Sequence, residues 1–560
     1  MKRSVISLTF IFISLISNSQ VLDNLSIGLE SNTVWYNDDN ETGDFFDTAN
    51  NDSDKHIRSN SYLKIDYNFL ENLTASVQIE SYEPFALLNY SKNYEGTNLG
   101  IYSLNYRDSK LNITAGHFYS QFGSGLILRN WEDRQLGINN ALQGGKIVYD
   151  PFSFISLTAL YGKQRVGFTT SEGEIYGFNS EIDAASIFNF KNTSLDIGLS
   201  YVGRKEETTF LEPSFNELTN SLSGRIDYYH NNFYSNAEYV IKSEDAIKQG
   251  GQLSNRLVKP GNALLFNTGY SKRGFGIDAT FRRLENMNFF SERNDAGNVF
   301  NESSINYIPG LTKQHDYLLT NIFVYQAQSV VNLDTSQSGE IGGQIDLFYK
   351  IKKETFLGGK YGAKFALNFS YWAGLDGNYT QDNPDAGILP NYEVNLLGFG
   401  DKYFSDFSIE IRKKWTPKWR SIFYFVNQSY NKKVIEGSGI MINSNIGVIE
   451  STHKLSNGKS LRLEIQKLNS DSTKHDWTGG TIEYNINSKF SVYVNDIYNN
   501  GSDSNTEKTH FFNLGGSYTK GATRLGLNYG RQRAGLLCVG GVCRFVAEAT
   551  GLTANLTMSF

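Results

Sequence analysis

Several classes of protein are excluded by what this sequence of 560 residues lacks. No apolar run near twenty residues follows the N-terminal segment, and the mean hydropathy is -0.39, so the chain is not a helical membrane protein. Lys and Arg number 52 against 58 Asp and Glu, which leaves no basic excess for binding nucleic acid. The low counts of Pro (8), Met (4) and Cys (2) beside many aromatic residues are not typical of a helical globular protein.

Catalytic and cofactor-binding motifs are also missing. The seven histidines form no HExxH motif, no GxSxG nucleophile elbow is present, and no glycine-rich phosphate loop has the GxxxxGK spacing. His475 and Asp476 are neighbours, and neighbouring strand residues point to opposite faces, so they do not suggest a catalytic dyad. The sequence therefore predicts no enzyme, no cofactor and no metal site.

The abundant residues favour strands and turns. The chain has 38 Phe, 34 Tyr, 6 Trp and 52 Gly. Aromatic and β-branched side chains suit pleated strands, whereas Gly, Asn, Asp and Ser disfavour long helices and are common in turns. This composition predicts an almost entirely β protein.

The N-terminal segment is typical of a secretory signal peptide. Lys2 and Arg3 precede an apolar stretch from Val5 to Ile16, and small polar residues follow it. We expect residues 1–20 to be removed on export, which leaves residues 21–560 as one domain. The absence of Cys at the cleavage site argues against a lipid anchor there.

The rest of the chain repeats one pattern: about ten alternating residues, a short polar turn, ten more residues and a longer loop rich in Asn, Asp, Gly and Ser. Residues 461–465 (Leu-Arg-Leu-Glu-Ile) illustrate the alternation, with one face suited to lipid and the other to water. The pattern predicts a transmembrane antiparallel β-barrel of the Gram-negative outer membrane, with short periplasmic turns and long extracellular loops. We count about 24 strands and expect an even number, roughly 20 to 26.

The longer loops include 121–142, 168–180, 243–261 and 285–337. The stretch from 285 to 351 divides poorly into strands. Since barrels larger than porins are commonly plugged, we expect loops 121–142 and 285–337 to fill the lumen.

The sequence of the last hairpin fixes which of its residues lie opposite one another. Gly540-Gly541 is a strong signal for a two-residue turn because both positions need positive φ. This turn places Leu525 opposite Leu556 and Leu527 opposite Ala554, and opposed residues share a face. The two strands therefore agree on which face is apolar.

Cysteines and arginines surround this turn. The same register sets Cys538 opposite Cys543, at a distance that suits a disulfide, although a redox-active or metal-binding pair is an alternative. Arg531, Arg533 and Arg544 lie nearby. On the outer face they would pair with lipopolysaccharide phosphates, and otherwise they form a solvated loop rim.

The chain ends in an alternating strand closed by Phe560, with apolar residues at every second position. Its length is close to the height of an outer-membrane apolar band. A terminal aromatic residue resembles the signal that the barrel-assembly machinery recognises during insertion. The alternative is the buried edge strand of a soluble barrel.

The densest stretch of unusual residues lies in loop 121–142. Arg129, Glu132, Asp133 and Arg134 carry both signs of charge and surround Trp131. Such a loop is too apolar to lie freely in water, so we expect it to fold into the lumen as a constriction or plug. An ordinary bulged continuation of the strand is the alternative.

Three motifs together resemble a known family. They are Gly-x-Phe-Tyr-x-Gln-Phe-Gly-x-Gly-Leu-x-Leu-Arg at 116–129 with Trp-Glu-x-Arg-x-Leu-Gly at 131–137, Leu-Thr-Lys-Gln-His at 311–315, and the segment 538–544. The chain resembles an uncharacterised family of Bacteroidota outer-membrane barrels known only as a domain of unknown function. The resemblance implies an outer-membrane location and supplies no catalytic or binding residues. Related barrels often join larger assemblies with lipoproteins, which implies possible partners of that kind.

Two functions remain open. In the first, a plugged barrel acts as a structural or accessory subunit of an outer-membrane complex for assembly, secretion or uptake. In the second, the protein is a porin-like channel for small solutes, with Arg129, Glu132, Asp133 and Arg134 setting selectivity. The predicted strand number favours the first, because open porins have about 16 to 18 strands.

Overall fold

A computed structural model describes residues 24–41, 56–88, 92–207, 216–249, 252–295, 298, 302–471, 476–501 and 508–560. The predicted signal peptide, residues 1–20, lies outside the described residues. Within the described ranges no helix is long and apolar enough to cross a membrane.

The chain forms one closed antiparallel sheet of 24 strands, as the alternation predicted. Each strand pairs with its neighbours in sequence, and the first strand pairs with the last from Gly28 opposite Ser559 to Asn37 opposite Thr550, so the sheet has no free edge. In a closed barrel the backbone N–H and C=O groups of every strand form hydrogen bonds with neighbouring strands. This pairing is required in the lipid core because no water is present there. The barrel strands are β1 (Leu25–Asn37), β2 (Ile57–Leu70), β3 (Leu73–Tyr82), β4 (Gly96–Arg107), β5 (Leu111–Phe118), β6 (Leu142–Phe152), β7 (Ile155–Val166), β8 (Thr169–Asp183), β9 (Thr193–Lys205), β10 (Leu218–His230), β11 (Phe233–Gln249), β12 (Gln252–Lys272), β13 (Phe275–Glu285), β14 (Gly339–Ile351), β15 (Ala363–Thr380), β16 (Asn391–Lys414), β17 (Trp419–Asn431), β18 (Met441–Lys454), β19 (Ser460–Ser470), β20 (Trp477–Asn485), β21 (Phe490–Asn499), β22 (His510–Lys520), β23 (Thr523–Gln532) and β24 (Ala549–Ser559).

Short elements lie between the barrel strands. Two α-helices, α1 (Ala184–Phe188) and α2 (Lys432–Glu436), each occupy a connection. Short strand pairs and single turns of 3-10 helix occur in the loops. They are the pairs Gln121–Phe122 with Leu128–Arg129, Glu132–Asp133 with Ile138–Asn139, and Gly535–Val539 with Val542–Val546, and the 3-10 turns Lys92–Tyr94, Leu319–Asn321, Leu333–Thr335 and Pro384–Ala386.

The alternation along the strands separates an apolar outer face from a polar inner face. On the outside, Leu514 and Ile465 are 60% and 70% exposed to the space that lipid fills. On the inside, Asn368 and Asp406 are buried. The observed pairs Leu525 with Leu556 and Leu527 with Ala554 confirm the register predicted for the last hairpin.

The two ends of the barrel differ as predicted. Connections at one end are short, such as residues 71–72, 231–232 and 521–522, whereas the loops at the other end include 119–141 and 286–338. The start of β1 and the end of β24 lie at the short-turn end, where the backbone of Phe560 exchanges hydrogen bonds of 2.9 and 3.1 Å with Ile27. In an outer-membrane barrel this end faces the periplasm.

The loops predicted at 168–180 and 243–261 are wrong, because strands occupy most of these residues. Residues 167–168 alone join β7 to β8, and β11 and β12 pair out to Gln249 opposite Gln252. Strand β10 stops pairing with β11 at Ser221 opposite Lys242, so the end of β11 pairs with β12 alone and projects beyond its other neighbour. The residues of a projecting hairpin do not contact lipid, so apolar and polar side chains need not alternate along them. The strand prediction depended on that alternation.

Candidate functional site

Three segments from the long-loop end fold back into the barrel. We call them lumen loop 1 (residues 119–141), lumen loop 2 (286–338) and the lumen hairpin (533–548). The apolar side chains Phe122 and Leu128 of lumen loop 1 are 1% and 0% exposed and pack in one cluster with Val202 and Val240 of the inner wall. The segments 121–142 and 285–337, expected to fill the lumen, thus lie against the wall from inside.

Arg134 ties lumen loop 1 to the first strands of the barrel. Its Nη1 donates to Glu30 (2.6 Å), its Nη2 to Gln78 (3.0 Å) and its Nε to Glu132 (3.1 Å), and the guanidinium lies 4.1 Å from the centre of the Tyr62 ring. Glu30, Tyr62 and Gln78 belong to the inner faces of β1, β2 and β3. The charged stretch therefore folds inward.

The other residues singled out in lumen loop 1 join parts of the filling. The Arg129 guanidinium lies 3.8 Å from the centre of the Tyr307 ring of lumen loop 2, and Trp131 meets the same ring edge-on at 5.4 Å. Asp133 accepts a hydrogen bond from the backbone N–H of Leu136 (2.9 Å). The stretch from Arg129 to Arg134 thus contacts protein on several sides.

Buried ion pairs that the sequence did not reveal hold the lumen together. Arg165 of β7 donates to Glu80 of β3 with both side chains at most 1% exposed, and Arg282 of β13 pairs with Glu340 of β14 at similar burial. Tyr325 of lumen loop 2 donates to the same Glu340. In the sequence, Arg and carboxylate residues at inward strand positions could have predicted that ion pairs form. Which residues pair depends on how the barrel closes.

A four-residue cluster fixes the start of lumen loop 2. Arg293 contacts Asp245 (2.7 Å) and Glu206 (3.1 Å), and Arg204 contacts Asp245 (3.0 Å). Burial raises the pKa of Glu206 from its ordinary value, against the pull of the two guanidiniums. Burial and the neighbouring Glu340 carboxylate likewise raise the pKa of Tyr325, so this phenol stays a proton donor.

The deepest contacts of lumen loop 2 lie around His315. Its Nε2 is 3.0 Å from Asp406 of β16, and Tyr424 of β17 is hydrogen-bonded to its other ring nitrogen. Close by, the backbone N–H of Leu319 donates to Gln466 of β19 (2.9 Å). Lumen loop 2 is therefore attached to wall strands from β9 to β19.

The lumen hairpin carries the predicted disulfide. Cys538 and Cys543 lie opposite one another with an S–S distance of 2.01 Å, and Gly540 and Gly541 have φ of 58° and 81°. The turn rests on lumen loop 2, since the Gly310 N–H donates to the Gly541 carbonyl (2.7 Å).

The arginines near this hairpin do not form a solvated rim. Arg544 is 2% exposed, donates to the carbonyl of Leu88 (2.7 Å) and lies 3.6 Å from Glu302. Arg531 pairs with Asp39 at 2.6 Å. The hairpin folds into the barrel rather than standing above it, so the interpretation of Arg544 as a rim or lipopolysaccharide contact is wrong.

A wide vestibule opens beneath the filling at the short-turn end. It has a volume of about 1190 Å³ and is roofed by Gly123 and Ser124 of lumen loop 1. One cation, Arg225, lines it beside seven carboxylates. These are Asp150, Glu181, Asp183, Asp196, Asp227, Glu238 and Asp278.

The neighbouring part of the short-turn rim, around β14 to β18, is basic. A groove of about 430 Å³ there is lined by Lys350, Lys364, Arg412, Lys413, Lys414, Lys418, Arg420 and Lys454. The rim is thus divided into an acidic and a basic sector.

Three smaller cavities follow one another along lumen loop 2, and the first two also touch the lumen hairpin. The first, of about 500 Å³, is lined by Phe323, Leu536 and Arg533. The second, of about 200 Å³, shares Phe323 and Leu536 and adds His315. The third, of about 570 Å³, shares His315 and extends to Asp346 near the short turns. They form an interrupted path beside the filling.

The remaining residues singled out in the sequence are Phe560 and His475. Phe560 lies on the outer face at the short-turn end, 40% exposed. Across the part of the chain that the structure describes, no three His, Cys, Asp or Glu side chains form a metal-binding group. His475 lies outside the described residues.

Solved structures with similar shapes are outer-membrane proteins. The siderophore receptor PirA from Pseudomonas aeruginosa aligns with a TM-score of 0.42 and 8% identity, over 97% of this chain and 81% of that chain. The P pilus usher PapC translocation pore gives 0.39 and 8%, over 96% and 99%. OccK1 (OpdK) from Pseudomonas aeruginosa gives 0.35 and 8%, over 96% and 99%. These TM-scores are low, so the fold assignment rests on the strand pairing of the chain itself.

A comparison with curated proteins finds no match. The comparison with family profiles finds a match. Residues 1–560 match the family of unknown function DUF6029, as the resemblance to an uncharacterised family implied, and the chain belongs to this family.

Proposed function

We propose that the protein is an outer-membrane barrel with an occluded lumen, and that it acts as an accessory subunit of a membrane complex. It would contact partner proteins or lipoproteins through its two ends instead of passing solutes through its centre. The observation that carries the proposal is that ion pairs and hydrogen bonds attach the filling to inward residues of strands between β1 and β19. In this proposal Phe560 serves insertion by the barrel-assembly machinery.

The attachment favours a permanent filling over a gate. Arg134, Arg293 and His315 anchor the filling to widely separated strands, at β1, β11 and β16. Arg293, Asp245 and Glu206 are buried, and removing one partner from a buried charge pair is strongly unfavourable, so the start of lumen loop 2 does not leave the lumen at little cost. A rigid filling suits a subunit that works through its surfaces.

The test joins conductance with isolation of partners. Purified full-length protein in planar bilayers is expected to give no steady current, and mild-detergent extracts are expected to yield a stoichiometric outer-membrane protein or lipoprotein. Large steady currents without any partner would contradict the accessory role. Conductance of the variant combining Arg129→Ala and Trp131→Ala is expected to rise, because it removes the contacts that these two side chains make with the Tyr307 ring of lumen loop 2.

The row of three cavities supports a second candidate, a gated conduit for small solutes. Constrictions between the cavities are lined by Phe323, Leu536 and His315, so a movement of the lumen hairpin would join them. Long bilayer recordings of the wild type, with and without a thiol reductant that opens the Cys538–Cys543 link, test this candidate. Brief openings that become frequent under reduction favour the conduit, and silence in both conditions favours the accessory role.

A further inference from the structure

The connection between β14 and β15, residues 352–362, folds outward instead of toward the lumen. The Lys413 ammonium donates to the carbonyls of Leu357 (2.7 Å) and Gly358 (2.6 Å). Lys413 belongs to the lipid-facing row of β16, two residues beyond Ile411, which is exposed on the outer face. The connection therefore rests on the outside of the barrel wall, at the short-turn end.

Hydrogen bonds within this connection keep it compact. The N–H of Glu354 donates to the Gly359 carbonyl and the N–H of Gly359 to the Thr355 carbonyl, each at 2.7 Å. The Thr355 hydroxyl donates to the carbonyl of Lys352 (2.8 Å). The segment is thus a preformed knob rather than a loose linker.

The knob exposes two large apolar side chains at its surface, and contact of such side chains with water is unfavourable. Phe356 is completely exposed and Leu357 is 68% exposed. Beside them on the outer wall Trp415 stacks on Trp419 at 5.5 Å, and Trp419 stacks on His453 at 5.5 Å. Tryptophan is enriched at the level of lipid headgroups, so this pair marks the membrane interface on the same side as the knob.

Cations surround the apolar tip. The knob itself carries Lys352, Lys353 and Lys360 against one carboxylate, Glu354. Lys413 and Lys414 of β16 contact it, and Lys418 lies in the neighbouring short turn. Among the described residues, the lysines with a carboxylate oxygen within 4.0 Å are Lys64 and Lys432, and neither belongs to this group. The ammonium groups of the knob are free to bind an anion.

We propose that residues 352–362 and 413–419 form a binding site for anionic phospholipids of the inner leaflet of the outer membrane. Phe356 and Leu357 enter the acyl region beside the tryptophan pair, and Lys352, Lys353 and Lys360 bind the headgroup phosphates. Basic residues beside an apolar anchor attract anionic lipids in this way. The proposal uses the membrane position of the barrel and not its role as an accessory subunit.

Lipid fits this patch better than a soluble acidic protein does. Lys352, Lys353 and Lys360 belong to the same outer knob as the exposed side chains of Phe356 and Leu357. Elsewhere at the same end, α1 and the residues after it expose Phe188 (65%) and Phe190 (49%) with a single lysine, Lys191. That connection offers the apolar part of an interfacial anchor without the cationic part.

The test measures which lipid the purified full-length protein retains. Protein in mixed micelles is offered equal amounts of phosphatidylglycerol and phosphatidylcholine, and bound lipids are counted by native mass spectrometry. The wild type is expected to prefer phosphatidylglycerol. The triple variant Lys352→Gln, Lys353→Gln, Lys360→Gln is expected to lose this preference, by about fivefold for each lysine that reaches the headgroups.

The matched control removes three exposed lysines from other short turns, as Lys110→Gln, Lys489→Gln and Lys520→Gln, and is expected to keep the preference. The variant Phe356→Ser, Leu357→Ser is expected to bind both lipids less. Equal retention of both lipids by the wild type, or equal losses in the two lysine variants, would overturn the proposal. So would displacement of the lipid by soluble glycerol phosphate at millimolar concentration, since the site would then need no membrane. Native-like mobility of each folded variant on unheated gels checks that the barrel is intact, and none of these results depends on conductance or on partners.

Discussion

The outer and inner faces of the same strands use opposite chemistry. Outside, side chains such as Leu514 and Ile465 contact lipid, and any apolar residue of similar size serves there. Inside, Glu80 and Glu340 are fully buried and each depends on one specific guanidinium from another strand. The outer face is therefore defined by a pattern and the inner face by individual residues. Substitutions are expected to follow this division.

The largest effect is expected at Glu340. Glu340→Ala leaves Arg282 buried without its counter-charge and removes the acceptor of Tyr325, at a cost of about 3–5 kcal/mol in the free energy of unfolding. Denaturant titration in micelles measures the loss. The double variant Arg282→Met, Glu340→Leu removes both charges together and is expected to be more stable than Glu340→Ala. Equal stability of the two would mean that the ion pair is not what matters at this position.

A charge introduced on the outer face is expected to lower the free energy of unfolding almost as much. Ala554 lies near the middle of β24 on the lipid side, so Ala554→Arg is expected to cost about 2–4 kcal/mol. The neighbouring Asn555 faces inward, and Asn555→Arg serves as the matched variant with a much smaller loss. Measurement of both by reversible unfolding in lipid sharpens the division, and a reversed order would contradict the assigned faces.

A smaller effect is expected at Arg134, which is a quarter exposed. Arg134→Ala removes the hydrogen bonds to Glu30 and Gln78 and is expected to cost about 1–3 kcal/mol. Because the loss is confined to lumen loop 1, faster proteolysis within residues 119–141 is expected in the folded barrel. Arg107→Ala, at an exposed position near a short turn, is the control and is expected to leave the cleavage rate unchanged.

The smallest effect is expected at the mouth of the long-loop end. Although partial burial opposes it, hydrogen bonds from Thr550, the Glu41 N–H and Arg531 hold the pKa of Asp39 below its usual value of 3.8. A lowered carboxyl pKa stabilises the folded state above pH 3.8, and this contribution is lost as the pH falls through the lower folded value. Hydrogen exchange of residues 38–41 is expected to accelerate below pH 3.8 in the wild type. In Asp39→Asn the rate is expected to be higher and to lack this pH step.

Patterns of period two were sufficient to predict the wall. Strand number, the apolar face, the last hairpin and the pairing of Cys538 with Cys543 all follow from alternation and from the Gly540-Gly541 turn, which are local properties. The strands at 169–183 and 233–249 were missed in part, the second because its end projects beyond β10, where no lipid imposes alternation. The inward course of lumen loop 1 was predicted from its own composition, since apolar and charged residues together seldom lie free in water.

The contents of the lumen are decided by the tertiary structure. Arg165 and Glu80 are 85 residues apart, and Arg544 lies 456 residues from Leu88, so no local pattern connects them. Which inward side chains meet depends on the number of strands, on how far each loop descends, and on the closure that brings β1 beside β24. The sequence by itself determined a wall that lipid can solvate, because each strand responds to its surroundings one residue at a time. Only the closed barrel decided which charges neutralise one another inside it, because that choice requires the whole circumference to be in place.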